Sequence, residues 1–293
     1  MLEGVDLLTT NVTAARTWLL QLDAGAARAG VTTQLCMAYP RFALQSIEMS
    51  RVTQIRVSDD HVPNGDASMQ WRIGYSSLLA WSLGLAPFKD GWFSTHVQPG
   101  GSVGDKSEIS PALQGAIATL SAGPVAPGDG VGFSDASLIL RSCTAGGRLL
   151  QPSRAATAID AGFRAKVWGV ASGGPSGEVY ATRSIVSGLL FHHIISAALE
   201  APYDLTLDEL VPMDAEVSPT PSPRAGRIAY SIDAVSFDHA TLVVRPFAEG
   251  NPIPLHTTSE PDFEVWHTVS TRPYAGHRRE TLRESERCLL MSG

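Results

Sequence analysis

Residues 53–60 read Thr-Gln-Ile-Arg-Val-Ser-Asp-Asp, and the fold class turns on them. Thr53 to Val57 reads as a short strand, rich in β-branched residues, and Ser58-Asp59-Asp60 closes it with turn formers. Upstream, Asn11 to Arg28 reads as a helix. Thr10 or Asn11 can cap it, Trp18, Leu19, Leu22 and Ala26 mark its apolar face, and Gly30 ends it. Thr32 to Met37 reads as a second strand. Downstream, Gln70 to Leu83 reads as a helix, Gly91 to Thr95 as a strand, and Ser110 to Leu120 as a helix with Pro111 in its first turn. Gly123 to Val125 reads as a further strand, and Ser134 is expected to cap a short helix ending at Leu140. Strands alternating with helices over short connections predict a parallel α/β sheet or barrel. About four strand–helix units precede residue 145, half of what a closed eight-stranded barrel needs.

The pattern changes after about residue 155. Lys166 to Ala171, Glu178 to Thr182, Leu189 to Ile195, Arg227 to Ile232 and Ala240 to Arg245 are β-rich runs separated by Gly, Pro and Asp. They predict an antiparallel β-rich C-terminal domain. The expected boundaries are 1–150 for the α/β part and 151–277 for the β part, with a charged tail at 278–293. Ser218 to Gly226 reads as a Pro/Ser linker or exposed loop.

Composition limits the function classes. The chain has 293 residues, 44% hydrophobic and 17% charged, with a net charge of -7. That is too apolar for intrinsic disorder. The acidity argues against nucleic-acid or anionic-membrane partners, which leave basic patches. No apolar run approaches the roughly 18 residues of a membrane span. Cys36, Cys143 and Cys288 are few and far apart, so they read as free thiols rather than a zinc or redox site. With no visible signal peptide they favour a reducing, cytoplasmic compartment. No cofactor and no metal site is expected.

Arg56, Asp59 and Asp60 are the sharpest candidates for chemistry. They lie at the C-terminal end of a strand, where parallel α/β folds collect catalytic side chains. Two carboxylates beside an arginine offer a proton donor and a cationic clamp; the plain alternative is an Asp-rich turn. Trp92 can stack on a sugar ring or fill the core. Asp129, in Pro127-Gly128-Asp129-Gly130, can contact substrate hydroxyls or shape a turn. Cys36 can line a pocket floor or pack as an apolar filler. His192 and His193 are adjacent in a strand and point to opposite faces, so they cannot share a metal. One is expected in the core and one on the surface. His256, His267 and His277 are too scattered to suggest a site. Gly100 to Gly104 lacks the Lys-Ser/Thr of a phosphate loop and reads as a flexible loop.

The segments QIRVSDDHVP, WRIGYSSLLAWSLGLAP, AIATLSAGPVAPGDGVG and LILRSCTAGGRLLQP occur in that order. Together they resemble the second half of the raffinose synthase and alkaline α-galactosidase group of glycoside hydrolase family thirty-six. The match runs from about residue 31 to 160, and Arg-x-Ser-Asp-Asp at 56–60 is its most specific element. The resemblance implies the C-terminal half of a (β/α)8 TIM barrel followed by the antiparallel β-rich domain. It implies a retaining glycosidase or transglycosidase acting on oligosaccharide or galactoside substrates. Asp59 or Asp60 would be the acid/base and Arg56 a donor to a sugar hydroxyl. The family's nucleophile precedes the helix that here begins at Asn11. Met1 to Thr10 holds only Glu3 and Asp6 as acids, so the nucleophile and its strands are expected to be missing. The chain is then a shortened enzyme, inactive alone and self-associating through its open barrel edge, or a non-catalytic carbohydrate-binding or scaffold homologue.

Overall fold

The computed structural model describes residues 4–36, 40–63, 68–101, 104–210, 227–231, 242–258 and 262–271. The Pro/Ser stretch at 218–226, Cys288 and the charged tail lie outside these residues. The architecture is mixed α/β with parallel and antiparallel sheets, and the described residues form no closed barrel.

Helix α1 (Asp6–Thr10) leads into α2 (Val12–Ala29). Asn11 caps α2 by accepting from the Ala14 N–H, and Gly30 ends it at φ 69°, a conformation cheap only without a Cβ. Strands β1 (Thr33–Leu35), β2 (Val52–Arg56) and β3 (Ala86–Phe88) form a parallel sheet in sequence order. Helix α3 (Pro40–Gln45) links the first pair, and α4 (Ser68–Trp71) with α5 (Gly74–Ser82) links the second. Asp23 ties α2 to the sheet: its buried carboxylate accepts from the Ser50 and Arg51 N–H groups at 3.0 and 2.7 Å, just before β2.

The third strand differs from expectation. It is Ala86–Phe88, and Gly91 to Thr95 is mostly loop, with one parallel bridge from Trp92 to Pro127. Gly123 to Val125 is not a strand. A Cβ on Gly123 would sit 2.6 Å from the Pro87 carbonyl oxygen, so this glycine lets the chain run hard against β3. The glycine-rich segment expected as a loop contributes to a hairpin, β4 (Val97–Gly101) with β5 (Gly104–Ser107). Helix α6 (Pro111–Leu120) starts at Pro111 without a side-chain cap from Ser110, and α7 (Ala136–Ile139) is capped by Asp135 rather than Ser134.

The β part is a six-stranded sheet in the order β11-β10-β13-β8-β7-β6. In chain order its strands are β6 (Thr157–Ala158), β7 (Glu178–Val186), β8 (Leu189–Ala197), β10 (Arg227–Ser231), β11 (Val243–Phe247) and β13 (Phe263–Ser270). Strands β9 (Tyr203–Leu205) and β12 (Ile253–Leu255) pair separately. All the pairings in the six-stranded sheet are antiparallel. Ser187 and Gly188 turn β7 into β8, both at positive φ, as a two-residue hairpin loop requires. Lys166 to Ala171 is not a strand: it closes helix α8 (Asp160–Trp168) and a short 3-10 turn. One face of the sheet presents Tyr180, Ile195 and Phe263 to Trp71, Leu113 and Ile117 of the α/β part. The other buries Val179, Ile194 and Trp266 against Leu199, Leu205 and Phe247. The two parts therefore share a core, and each fully buried Leu or Ile in it contributes about 1.5–3 kcal/mol.

Both His192 and His193 are buried, so the expected surface histidine is absent. They point to opposite faces, but each face is covered. His193 meets His267, which sequence spacing left isolated; their Nδ1 atoms are 2.8 Å apart.

Candidate functional site

Strand register assembles the site. Arg56 pairs with Phe88 at the ends of β2 and β3, and the Val57 N–H donates to the Phe88 carbonyl at 2.9 Å. Both strands are parallel, so the residues that follow them emerge side by side at the C-terminal edge. Asp90 thereby meets the 58–61 loop. Its N–H donates to Ser58 Oγ at 2.8 Å, and its Oδ2 accepts the His61 N–H at 2.7 Å.

Arg56 bridges two carboxylates. Its Nη2 lies 2.6 Å from Asp60 Oδ1 and its Nη1 lies 3.0 Å from Asp90 Oδ2. The guanidinium side chain is only 7% exposed, whereas the Asp60 side chain is 56% exposed and Asp90 32%. Such a buried, fixed cation is a strong hydrogen-bond clamp. Burial pushes the Asp90 carboxyl up, but the His61 and Gly91 N–H groups and the Arg56 and Lys89 charges outweigh it and hold it below its ordinary value. Asp60 is the accessible carboxylate of the pair. Asp59 is exposed, and its backbone carbonyl accepts from Ser58 Oγ at 2.8 Å.

Two further groups stand behind this arrangement. The Lys89 ammonium is buried and donates to the Asp90 and Gly91 carbonyls at 2.7 and 2.9 Å. Burial drives it down to about 7, although Glu108 and Asp90 pull the other way. Glu108 is also buried, and its Oε2 lies 3.1 Å from His61 Nε2 and 3.3 Å from the Phe93 nitrogen. Burial raises its carboxyl; the His61 and Phe93 donors and the nearby His61 and Lys89 charges outweigh that and keep it below the usual value. His61, Lys89, Asp90 and Glu108 are missed by reading local motifs. The signal available was a Lys-Asp pair just after an apolar strand; Glu108 lies 47 residues from its partner.

The other sequence candidates are not gathered here. Trp92 is fully buried, with its ring 3.0 Å from where a Gly115 Cβ would be. It fills the core, so it offers no face for a sugar to stack on. Asp129 anchors loops: its oxygens accept from the Ser94 N–H at 2.7 Å, Ser94 Oγ at 2.6 Å and Gln98 Nε2 at 2.9 Å. Cys36 is exposed one residue beyond β1, so it is neither pocket floor nor core filler.

Among the described residues no cluster of three or more His, Cys, Asp or Glu could hold a metal ion. No described helix is long and apolar enough to cross a membrane. No protein-family model matches the chain, and no curated protein matches it in sequence.

Proposed function

We propose that this chain carries a sugar-recognition site of the α-galactosidase type, with Asp60 at the position of that family's acid/base carboxyl and Arg56 as the clamp that orients it. The observation that carries this reading is the Arg56 bridge. It holds an exposed Asp60 and a largely buried Asp90 on one guanidinium at the C-terminal ends of two parallel strands. Glycoside hydrolysis needs a carboxyl that reaches the leaving oxygen and a polar setting that positions it. Asp60 has the access to a sugar hydroxyl, and Arg56 fixes its orientation. The parallel order β1-β2-β3, followed by an antiparallel sheet, supplies three of the four strands that half of a (β/α)8 barrel would have, with a β-rich part after them. Galactosides are the substrate class that the sequence resemblance suggests.

The Asp90 carboxylate favours the binding-only reading for this chain. Its Oδ2 is committed to Arg56 and the His61 N–H. A carboxylate held this way orients Arg56 and the 58–61 loop. The chain by itself is therefore expected to bind galactosides without turning them over.

Nuclear magnetic resonance titration with methyl α-galactoside tests the reading. Amide shifts should move at 56–61 and 89–91, and Asp60→Asn should weaken them. Nitrophenyl α-galactoside should release no nitrophenol. Absence of any shift at these residues would refute the site. Turnover abolished by Asp60→Asn would instead show that the chain holds its own nucleophile.

A further inference from the structure

His61 follows Asp60 directly, and its imidazole is fixed on several sides. The Nε2 atom lies 3.1 Å from Glu108 Oε2. Phe93 meets the ring edge-on with centroids 4.6 Å apart. The backbone N–H of His61 is bound to Asp90 Oδ2 at 2.7 Å. Glu108 is itself anchored, since its Oε2 accepts from the Phe93 N–H and its Oε1 from Gln114 Nε2 at 3.4 Å.

The direction of the His61–Glu108 bond follows from charge. An ionised carboxylate only accepts, so Nε2 must carry the hydrogen that faces Glu108. In the neutral ring the other nitrogen, Nδ1, is then a pure acceptor. No described group bonds to Nδ1, and the His61 side chain keeps 11% of its surface exposed. A buried carboxylate that orients a histidine is the arrangement by which proteins select one tautomer. The buried charge of Glu108 has a cost that a mere turn would not require.

We propose that His61 is a ligand-contacting residue of this site, with Nδ1 accepting a hydrogen bond from a hydroxyl of the sugar beside Asp60 and Glu108 as the positioning residue that keeps it an acceptor. This rests on the sugar-site reading above. The exposed Asp60 carboxylate and His61 Nδ1 both accept, a pairing suited to the hydroxyl donors of a neutral polyhydroxylated ligand. Neither group supplies the paired cations that an anionic ligand would select.

The experiment follows the His61 ring nitrogens by nitrogen-15 resonance in the full chain titrated with methyl α-galactoside. Before sugar is added, the resonances should report the Nε2–H tautomer. On saturation the Nδ1 resonance should shift. Glu108→Leu removes the acceptor that faces Nε2, so Nδ1 can carry the ring hydrogen and become a donor. It should weaken binding about tenfold, the value of one hydrogen bond, while Glu108→Asp retains part of the affinity. Sugar binding that leaves Nδ1 unmoved in the parent chain and survives Glu108→Leu overturns the assignment and leaves Asp60 standing. No sugar-induced shift anywhere overturns both.

Discussion

His193 and His267 face each other across β8 and β13, directly opposed in register, with their Nδ1 atoms 2.8 Å apart. One must donate and the other accept, so the pair is stable only while at least one ring is neutral. His193 Nε2 lies 3.1 Å from Ser184 Oγ, and Tyr230 packs 5.2 Å from the His267 ring. His192, on the opposite face, bonds Thr268 and lies 3.2 Å from Arg227 Nη1. No described carboxylate faces the pair. Burial holds His267 down to about 4. Burial, then His267 and His192, pushes His193 well below its ordinary value. The unfolded chain therefore binds these protons first, near pH 6.5, and stability falls as pH drops below that value. For His267 alone the loss between pH 7.5 and 5 is about 2 kcal/mol, a ceiling because part of the ring meets solvent. It becomes complete only when the native ring protonates near pH 4. Urea unfolding at pH 7.5, 6.5 and 5 reads this as a falling midpoint with an unchanged slope. His267→Phe keeps a ring against Tyr230, starts less stable because His193 loses a partner, and should show a smaller pH-dependent fall, the remainder coming from the still buried His193. A parent midpoint that does not move from pH 7.5 to 5 would refute the reasoning, as would an equal fall in the variant.

Gly74→Ala should destabilise by about 1–3 kcal/mol, read as a lower melting temperature, because the new Cβ would lie 2.2 Å from the buried Tyr180 ring. That overlap exceeds the gain of up to about 1 kcal/mol that alanine brings to a helix. Lys89→Met should change the pH profile: the parent gains about 2 kcal/mol relative to the variant from pH 7 to 9, because a lysine held near 7 discourages protonation only in the folded chain. Asp90→Asn should cost about 1–3 kcal/mol at pH 7, less than a fully buried pair because Asp90 is a third exposed. Its carboxyl is held low when folded, so that cost should shrink as pH falls below about 3.9, which parallel melts at pH 7 and 3 would check.

Much of the site's frame is legible in local sequence. Arg56, Asp59 and Asp60 stand at a strand end because β-branched residues precede turn formers there, and the Arg56–Asp60 pair is a four-residue contact. Asn11 and Gly30 bracket α2 through local backbone chemistry. The errors arise where tertiary contacts overrule such signals. Gly91 to Thr95 has strand composition, but the chain pairs with β2 earlier, at Ala86–Phe88. For Trp92 and Asp129 the sequence leaves two readings open, and packing makes one core and the other a loop anchor.

Sequence alone determined the alternation that makes a parallel sheet, the switch to antiparallel hairpins, and the arginine–aspartate pair at one strand end, because these depend on neighbours a few residues apart. Tertiary structure decided which groups surround that pair. Asp90 reaches Arg56 across 34 residues and Glu108 reaches His61 across 47. His267 reaches His193 across 74. Strand register creates those contacts, and a change of register by one residue would turn the side chains to the other face. Whether a charge is buried, which tautomer a histidine adopts, and which carboxylate stays accessible all follow from that packing. No spacing along the chain encodes them.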